Sequence, residues 1–545
     1  MSILTRPTRS VRALAVAAAA ALAVGVAGCG DDGGKSTGAE PGAVASFIPA
    51  GAPMYAEVST DFAGPQWTQL QALAAKFPAF PDLREKLTEG FESEGVDFAR
   101  DVQPLLGKDA AVGLLEVKAR DLSSGALTTP GAAAAAADDQ PFVAAVEIAE
   151  GKDADALAFV TKKATKAGTI GGVDYYRSSD PDDDGIVAVT DGTVLFAEGE
   201  AELKAALDAH AAGGDATVAG NDKVTDTLGK LPADVFAQVY VDLGAVLKQS
   251  SNSSAQLKQL EAFGLSTDTA FGLSLSAEPT GLRLKGVVTG SGAKAVAGTE
   301  EFTPTLTANV PGDALAYVGF NNLAGLVASA LDTLKKANPD VGSQISALSA
   351  QLPVFLGGVT VDDLKALTQK EHALVVTRGG AYPTGALLLQ VDDAARAQKT
   401  LDGLKALVPL IAGQIGADDV PSWRTVTEAG VTGQELPLSE KAGVVYGTKD
   451  GLAVVGTQPA ALALLTAPAA SLAADKDFAD ATVGMPDKVG ALAWIDVQGI
   501  VETANALGAF DSADEDAQEA LANLKPLKSL VAWSTVDDGV PTVEA

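Results

Sequence analysis

The chain has 545 residues, of which 39 are basic and 70 are acidic, so its formal net charge is −31. Such a charge disfavours nucleic acid and anionic membrane surfaces as partners, because both repel an acidic surface. Hydrophobic residues make up 47% of the chain, which excludes an acidic disordered protein and predicts about two to four domains with large cores.

The N-terminal segment 1–28 has the pattern of a signal peptide. Three arginines precede the apolar residues 13–24, which are too few for a spanning helix of about 20 residues. The sequence Val-Ala-Gly then leads to Cys29, the only cysteine, and resembles a lipobox, in which the cysteine carries acyl chains. We expect cleavage directly before Cys29. The mature chain, with 36 basic against 70 acidic residues and a charge of −34, is expected to lie outside the cytoplasm, anchored to the cell membrane by lipid on Cys29.

The mature chain contains two similar halves. Residues 29–42 are rich in Gly and Asp and predict a flexible tether. Behind them, residues 49–58 align without gaps with residues 311–320, and both predict a strand that opens at a proline. Four more segments recur in the same order: 142–148 with 385–391, 188–196 with 447–455, 232–242 with 486–496, and 270–284 with 530–543.

These recurrences predict an α+β fold of two homologous tandem modules. The modules span residues 43–290 and 309–545, and residues 291–308 link them. Strand–helix units alternate with hairpins, which predicts a mixed, mainly antiparallel sheet in each module with helices packed on one face. Residues 119–140 contain a run of six alanines and have no counterpart in the second module, so we expect a mobile insert there.

Several short patterns resemble one family. Pro-x-Asp precedes a tyrosine-containing strand twice, and the first helix ends on Ala-Ala-Lys-Phe-Pro. These residues are Pro311, Asp313 and Tyr317, then Pro232, Asp234 and Tyr240, and residues 74–78. With the lipobox, the patterns resemble the exported bacterial proteins grouped as domain-of-unknown-function family 3352. The resemblance covers most of the mature chain and implies no known activity, so it transfers no functional residues.

One acidic segment has the spacing of a calcium-binding loop. It places carboxylates at Asp180, Asp182, Asp184 and, in the twelfth position, Asp191, where alternating oxygens could surround a hard cation. The flanks read as strands and not as helices, the second half lacks the acidic loop, and Asp191 is explained as a hairpin residue because Asp450 recurs in its place. We therefore favour a solvated loop over a calcium site, and we predict no cofactor.

The sequence offers little for catalysis. Its two histidines, His210 and His372, have no counterparts in the opposite half and no cysteine or histidine partner. Acidic pairs such as Asp362-Asp363 and Asp392-Asp393 are expected on the surface or as helix caps, and no nucleophile elbow or phosphate loop occurs. We expect a protein that is not an enzyme. A hydrolase that uses distant carboxylates is the least favoured alternative.

Binding is the favoured function class. Residues 401–415 predict a helix that is apolar on more than one face; it is either a buried helix or one wall of an apolar pocket or partner groove. No convergent polar groups stand out, so we expect an apolar ligand such as a lipid, or an envelope protein, in preference to a small charged solute. The alternative is a solute-binding lipoprotein of a transporter. A single chain crossing between self-contained modules is evidence against it.

Overall fold

The computed structural model describes most of the chain. The described residues are 38–80, 96–117, 140–178, 185–249, 266–291, 300–325, 357–379, 382–405, 421–439, 443–511 and 514–545, with Ala293, Ala328 and Pro353. The predicted signal peptide and nearly all of the predicted insert 119–140 lie outside them. The described residues form two compact units. Unit 1 extends to Val296 and also takes Gly539–Glu544, whereas unit 2 is Ala297–Asp538.

Strands make up the framework of both units. In chain order they are β1 (Met54–Ser59), β2 (Leu106–Leu114), β3 (Phe142–Ile148), β4 (Ala164–Ile170), β5 (Val173–Ser178), β6 (Ile186–Thr190), β7 (Thr193–Ala197), β8 (Ala237–Asp242), β9 (Ala270–Ala277), β10 (Leu282–Thr289), β11 (Ala316–Asn321), β12 (Glu371–Thr377), β13 (Thr384–Gln390), β14 (Arg424–Glu428), β15 (Val431–Pro437), β16 (Gly443–Lys449), β17 (Leu452–Gly456), β18 (Ala491–Asp496), β19 (Ser529–Asp537) and β20 (Val540–Glu544).

The α-helices lie between these strands. They are α1 (Pro65–Ala74), α2 (Asp153–Val160), α3 (Glu200–Ala212), α4 (Asp222–Leu228), α5 (Leu243–Gln249), α6 (Val361–Leu367), α7 (Ala394–Leu404), α8 (Lys476–Ala481), α9 (Val497–Ala506) and α10 (Glu515–Leu524). Short 3-10 helices span Ala43–Phe47, Gln103–Leu105, Gly214–Ala216, Val218–Gly220, Thr305–Ala308, Pro459–Leu465 and Leu472–Ala474, and a π-helical turn spans Phe98–Val102.

Each unit contains one large antiparallel sheet. In unit 1 the order is β4-β5-β6-β7-β3-β2-β1-β8-β9-β10-β20. In unit 2 it is β14-β15-β16-β17-β13-β12-β11-β18-β19. Every strand pairing among the described residues is antiparallel, so the α+β class is confirmed but the expected mixed sheet is wrong. Hairpins, which join neighbouring strands, produce antiparallel pairs.

Helices cover both faces of each sheet, and the expectation of one covered face is wrong. In β1, Tyr55 points into a core under α3 and α4, whereas its neighbour Ala56 points into a second core under α1. Unit 2 has the same division, with α7 packed over Leu389 and Ala453. Successive strand residues point to opposite faces, and these strands carry apolar residues at both sets of positions.

The packed regions begin earlier than the sequence predicts. Ala39, which the sequence assigns to the tether, is buried in the core of unit 1 and donates its N–H to the Leu231 carbonyl at 3.1 Å. Phe302 and Leu306, which the sequence assigns to the linker, belong to the core of unit 2. Their apolar side chains stabilise the units by burial, and polar composition alone did not reveal them.

The last hairpin divides between the units. The sequence places the segment 530–543 in the second module, but the strand β20 belongs to unit 1. Residues Lys285–Val287 of β10 pair with Thr542–Glu544, and Arg283 forms ion pairs with Glu278 and Glu544 at 2.7 and 3.0 Å. The C-terminal strand therefore completes the edge of the unit 1 sheet.

Candidate functional site

The residues predicted for lipidation and calcium binding lie mostly outside the described residues. These are Cys29, Asp180, Asp182 and Asp184. Asp191 is described: it occupies the β6–β7 hairpin with a φ of 44°, followed by Gly192 at 69°, as expected for a tight two-residue turn. The segments before and after the acidic residues 180–184 are the strands β5 and β6, as the sequence predicts. Within the described ranges, no group of three His, Cys, Asp or Glu side chains is placed to hold a metal ion.

The two histidines occupy different environments. His210 lies near the end of α3 and stacks on Phe47 with ring centroids 3.8 Å apart. Its Nε2 lies 3.6 Å from an Asp191 carboxylate oxygen. His372 in β12 is fully buried against Phe320, and this burial lowers the pKa of its imidazole. The His210 ring is therefore half-buried, whereas the His372 ring lies in the interior.

The predicted apolar helices are described only in part. Helix α7 ends at Leu404, with Leu401 buried and Leu404 packed against the same core. Residues 406–415 of the predicted helix and most of 323–334 fall outside the described residues. The visible end of α7 therefore packs on the sheet of unit 2.

The acidic pairs cap helices, as the sequence predicts. Asp363 forms a capping box with Thr360 at the start of α6, and Asp393 accepts a hydrogen bond from the Arg396 N–H at 3.0 Å at the start of α7. Asp242 and Asp496 accept from Ala245 and Gly499 at 2.9 and 2.8 Å. Capping satisfies N–H groups that have no partner within the helix.

A buried glutamate fixes the start of each unit. Glu57, 6% exposed, accepts hydrogen bonds from the Gly42 N–H at 3.0 and 3.1 Å, from the Tyr55 hydroxyl and from the Gln238 amide at 3.0 Å. Burial raises the pKa of this carboxyl. Full hydrogen bonding offsets the cost of burying it. This carboxylate connects the first described segment of the unit to β1.

In unit 2, Glu371 connects the segment around Thr305 to the sheet. It is 4% exposed and accepts hydrogen bonds from the N–H groups of Thr305 and Leu306 at 3.0 and 2.8 Å, from the Thr305 hydroxyl and, at 3.4 Å, from the Tyr317 hydroxyl. Burial raises the pKa of this carboxyl too. Glu57 lies on β1 and Glu371 on β12, so the sequence alignment of the halves could not pair them.

Asp109 extends the buried acidic group of unit 1. Burial, followed by the charges of Glu57 and Glu147, raises the pKa of the Asp109 carboxyl to about 7. Gly42 lies against both Glu57 and Asp109, since a Cβ there would meet Glu57 Oε1 at 2.3 Å and Asp109 Oδ2 at 3.0 Å. These carboxylates lie on the neighbouring strands β1, β2 and β3, and like charges so close together resist full ionisation.

A pocket of about 470 Å³ lies in unit 2. Its polar lining comes from Asn309, Lys370, Gln390, Lys449, Asp450 and Thr466. Its apolar lining comes from Val391, Gly451, Leu452, Leu465 and Ala467. A volume of this size suits a small molecule or part of a larger one.

The pocket is built from the ends of strands and a hairpin. Asp450 and Gly451 turn with φ values of 47° and 80° between β16 and β17, and the Val391 N–H donates to the Gly451 carbonyl at 2.8 Å. The sequence identified this hairpin as a recurring turn but missed the pocket. Its lining joins residues as distant in sequence as Asn309 and Ala467.

Unit 1 has a hairpin that makes the same backbone contact as the hairpin at the pocket. Its hairpin Asp191-Gly192 makes the matching contact, from the Ile148 N–H to the Gly192 carbonyl at 2.7 Å. Phe47 stands where the aligned sequence of unit 2 has Asn309, and His210 stacks on it. The aromatic pair lies beside the hairpin of unit 1, since His210 Nε2 is 3.6 Å from an Asp191 carboxylate oxygen.

The described residues include no helix with the length and apolarity needed to cross a membrane. The fold is an α+β arrangement with a large antiparallel sheet, and the described site is a polar-lined pocket. The family model "Protein of unknown function (DUF3352)" matches residues 12–537, and the chain belongs to this family.

Comparison with curated proteins gives no match. Among solved structures, the chain is similar to "Structure of crystal form I of TP0453", at 10% identity and a TM-score of 0.23, over 46% of this chain and 79% of that chain. A likeness this weak carries no argument about fold or function.

Proposed function

We propose that the protein is a lipid-anchored, extracytoplasmic binding protein without catalytic activity. The anchor rests on the sequence around Cys29, where a charged segment, a short apolar segment and Val-Ala-Gly precede the only cysteine. Two or three acyl chains on that residue supply more than the single chain that gives only reversible membrane binding.

The pocket of unit 2 is the observation that carries the binding function. It has apolar walls, including Val391 and Leu465, which are buried, and Leu452, which is half-buried. The lining as a whole is mainly polar, and the combination of apolar walls with polar groups is typical of small-molecule sites. The proposed ligand has an apolar part, as a lipid does. Alternatively, an envelope protein partner places an apolar side chain in the pocket.

A solute-binding lipoprotein of a transporter remains the second candidate. The observation that favours it is the return of the chain from unit 2 to unit 1 at Gly539, since the sequence argument against such a receptor rested on one crossing. The polar side of the pocket also favours it. A hydrolase has no comparable support.

We also propose that the two units arose by duplication. Nine strands follow one order in both, from β4 to β9 across unit 1 and from β14 to β19 across unit 2. Equivalent bridges join Pro49 to Thr217 and Pro311 to Ser471. The paired Tyr55 and Tyr240 of unit 1 correspond to Tyr317 and Trp494 of unit 2.

The anchor is tested by metabolic labelling with a fatty acid in a bacterial host. Cys29→Ala should abolish labelling, because transfer of diacylglycerol requires the thiol, whereas Thr37→Ala should be labelled like the unaltered chain. Labelled Cys29→Ala protein contradicts the anchor and leaves the binding function open.

The binding function is tested by mass spectrometry of lipids and proteins that purify with the full chain. Leu452→Gln changes an apolar wall of the pocket, and Leu507→Gln changes an exposed leucine outside its lining. A bound lipid or partner should be lost only from the first variant, with circular dichroism showing that both fold. Equal retention in both variants rules out the pocket as the apolar site, and a polar solute bound in place of a lipid supports the transporter receptor.

A further inference from the structure

We propose that the pocket of unit 2 binds an anionic group, a phosphate or a carboxylate, through Lys449 and Lys370. This inference rests on the proposed binding function and specifies the polar end of the ligand. The whole chain has 70 acidic and 39 basic residues, yet the charged side chains that line the pocket are two lysines and one aspartate. The lining thus carries more basic than acidic side chains, and with Asp392, which pairs with Lys370, the two signs are equal, in a protein with a large acidic excess.

Lys449 is the principal cation. It ends β16 and pairs across the hairpin with Leu452, which packs against the core, so its backbone is held in place. Its side chain has no ion pair with another residue of the described ranges, although the chain has an excess of carboxylates. An ammonium group that has no carboxylate partner among the described residues, and that lies beside buried apolar side chains, attracts an anion more strongly than a fully solvated lysine does.

Lys370 and two amides complete the polar side. Lys370 forms an ion pair with Asp392, whose side chain is 74% exposed, and an exposed pair of this kind contributes little and is readily rearranged. The side-chain amides of Asn309 and Gln390 are not hydrogen-bonded to other described residues. Charged and neutral donors around one cavity are the groups that bind carboxylate or phosphate oxygens.

The segment that leads to the pocket of unit 2 is shorter than the corresponding segment of unit 1. In unit 1 the segment 198–216 joins the end of β7 to Thr217, whereas in unit 2 the shorter segment 457–470 joins the end of β17 to Ser471. Unit 1 uses the longer segment for α3, which carries His210 onto Phe47. In unit 2 a 3-10 helix, Pro459–Leu465, ends at the pocket, and Asn309 replaces the phenylalanine.

The test measures binding of inorganic phosphate, acetate and short-chain phosphatidic acid by isothermal titration calorimetry. The full chain is used in an uncharged detergent. We expect saturable binding of at least one of these probes, weakened about tenfold or more by Lys449→Gln, since removing a charged partner costs about 1.4 kcal/mol or more. Lys476→Gln removes an exposed lysine that is paired with Asp480 on α8, and it should leave binding unchanged.

A second variant tests the cavity without changing a charge. Asn309→Phe introduces the residue of unit 1 and should block binding while circular dichroism stays unchanged. Phosphatidic acid bound at least tenfold more tightly than phosphate identifies a lipid head group, and equal affinities identify a free anion. Absence of saturable binding for all three probes overturns the inference, as does equal binding by Lys449→Gln. Either result leaves the apolar-ligand test, which uses Leu452→Gln, unaffected.

Discussion

His210 stacks on Phe47 with ring centroids 3.8 Å apart and ring planes 9° from parallel. The contact joins the end of α3 to the first 3-10 helix of unit 1. A hydrogen bond of 3.1 Å between His210 Nδ1 and the Ser46 hydroxyl holds the ring in this position. One histidine thus ties the start of the unit to a helix that is distant in the sequence.

Loss of this ring should destabilise unit 1. We expect His210→Ala to lower the free energy of unfolding by about 1 to 2 kcal/mol, because it removes a stacked pair and leaves space beside Phe47. His210→Phe should retain most of the stability. Denaturant titration is the measurement, with Lys204→Ala, on the exposed side of the same helix, as control. A loss for Lys204→Ala as large as that for His210→Ala would show that the effect is not specific to the stacked ring, because alanine itself favours the helix.

Asp109 should make stability depend on pH. The pKa of Asp109 is raised to about 7 in the folded chain from an ordinary value of 3.8. The contribution of the protonated carboxyl to the free energy of unfolding is therefore complete below pH 3.8 and is lost as the pH rises through about 7. Asp109→Asn should therefore be more stable than the unaltered chain at about pH 8, by about 1 to 2 kcal/mol because solvent reaches the group and screens it.

The free energies of unfolding of the unaltered chain and of Asp109→Asn should converge as the pH falls below about 4. Asp109 then becomes protonated in the unfolded chain as well as in the folded one. Denaturant titrations across this range measure the difference, and Asp234→Asn, at an exposed position, provides the control. A difference that does not change with pH would contradict the assignment to Asp109.

Glu371 should contribute more to stability than its tyrosine partner. We expect Glu371→Ala to cost about 3 kcal/mol or more, because it leaves the Leu306 N–H, in a buried contact, and the Thr305 N–H, in a partly buried one, without an acceptor. Tyr317→Phe removes one long hydrogen bond of 3.4 Å and should cost about 1 kcal/mol. Glu371→Gln keeps one acceptor oxygen and should fall between them. Equal losses for Glu371→Ala and Tyr317→Phe, measured by urea unfolding, would be inconsistent with this role.

Calcium should have almost no effect on the melting temperature. The acidic loop containing Asp182 is predicted to be a solvated hairpin loop, and a specific site in a hundredfold excess of ligand would add about 2.7 kcal/mol of stability. Calorimetry with millimolar Ca²⁺ tests this expectation, with millimolar Mg²⁺ as control. A rise of several degrees that disappears in Asp182→Ala would establish a calcium site.

A charged residue in place of Leu404 should unfold unit 2, and should not merely abolish ligand binding by a folded protein. Leu404 packs against the core formed by Leu389, Tyr446 and Ala453, and an unpaired charge there costs several kcal/mol. Leu404→Asp should therefore lose the cooperative near-ultraviolet signal, whereas Lys399→Asp, a charge at an exposed position of the same helix, should not. A folded Leu404→Asp protein that fails to retain its ligand would instead identify this helix as a wall of the binding site.

The sequence by itself determined the local features of the fold. The strand within residues 49–58, the hairpins at Asp191 and Asp450 and the helix caps at Asp363 and Asp393 follow from periodicity and turn chemistry. These features depend on residues close together in the chain. The family followed from short patterns of the same kind.

Only the tertiary structure decided how distant residues meet. Glu371 accepts hydrogen bonds from Thr305 and Leu306, 66 and 65 positions away, and β20, at the end of the chain, completes a sheet whose preceding strand, β10, ends at Thr289. The pocket brings together Asn309, Lys449 and Ala467, which lie far apart in the sequence. Such contacts depend on the packing of the whole unit, so no local pattern of residues specifies them.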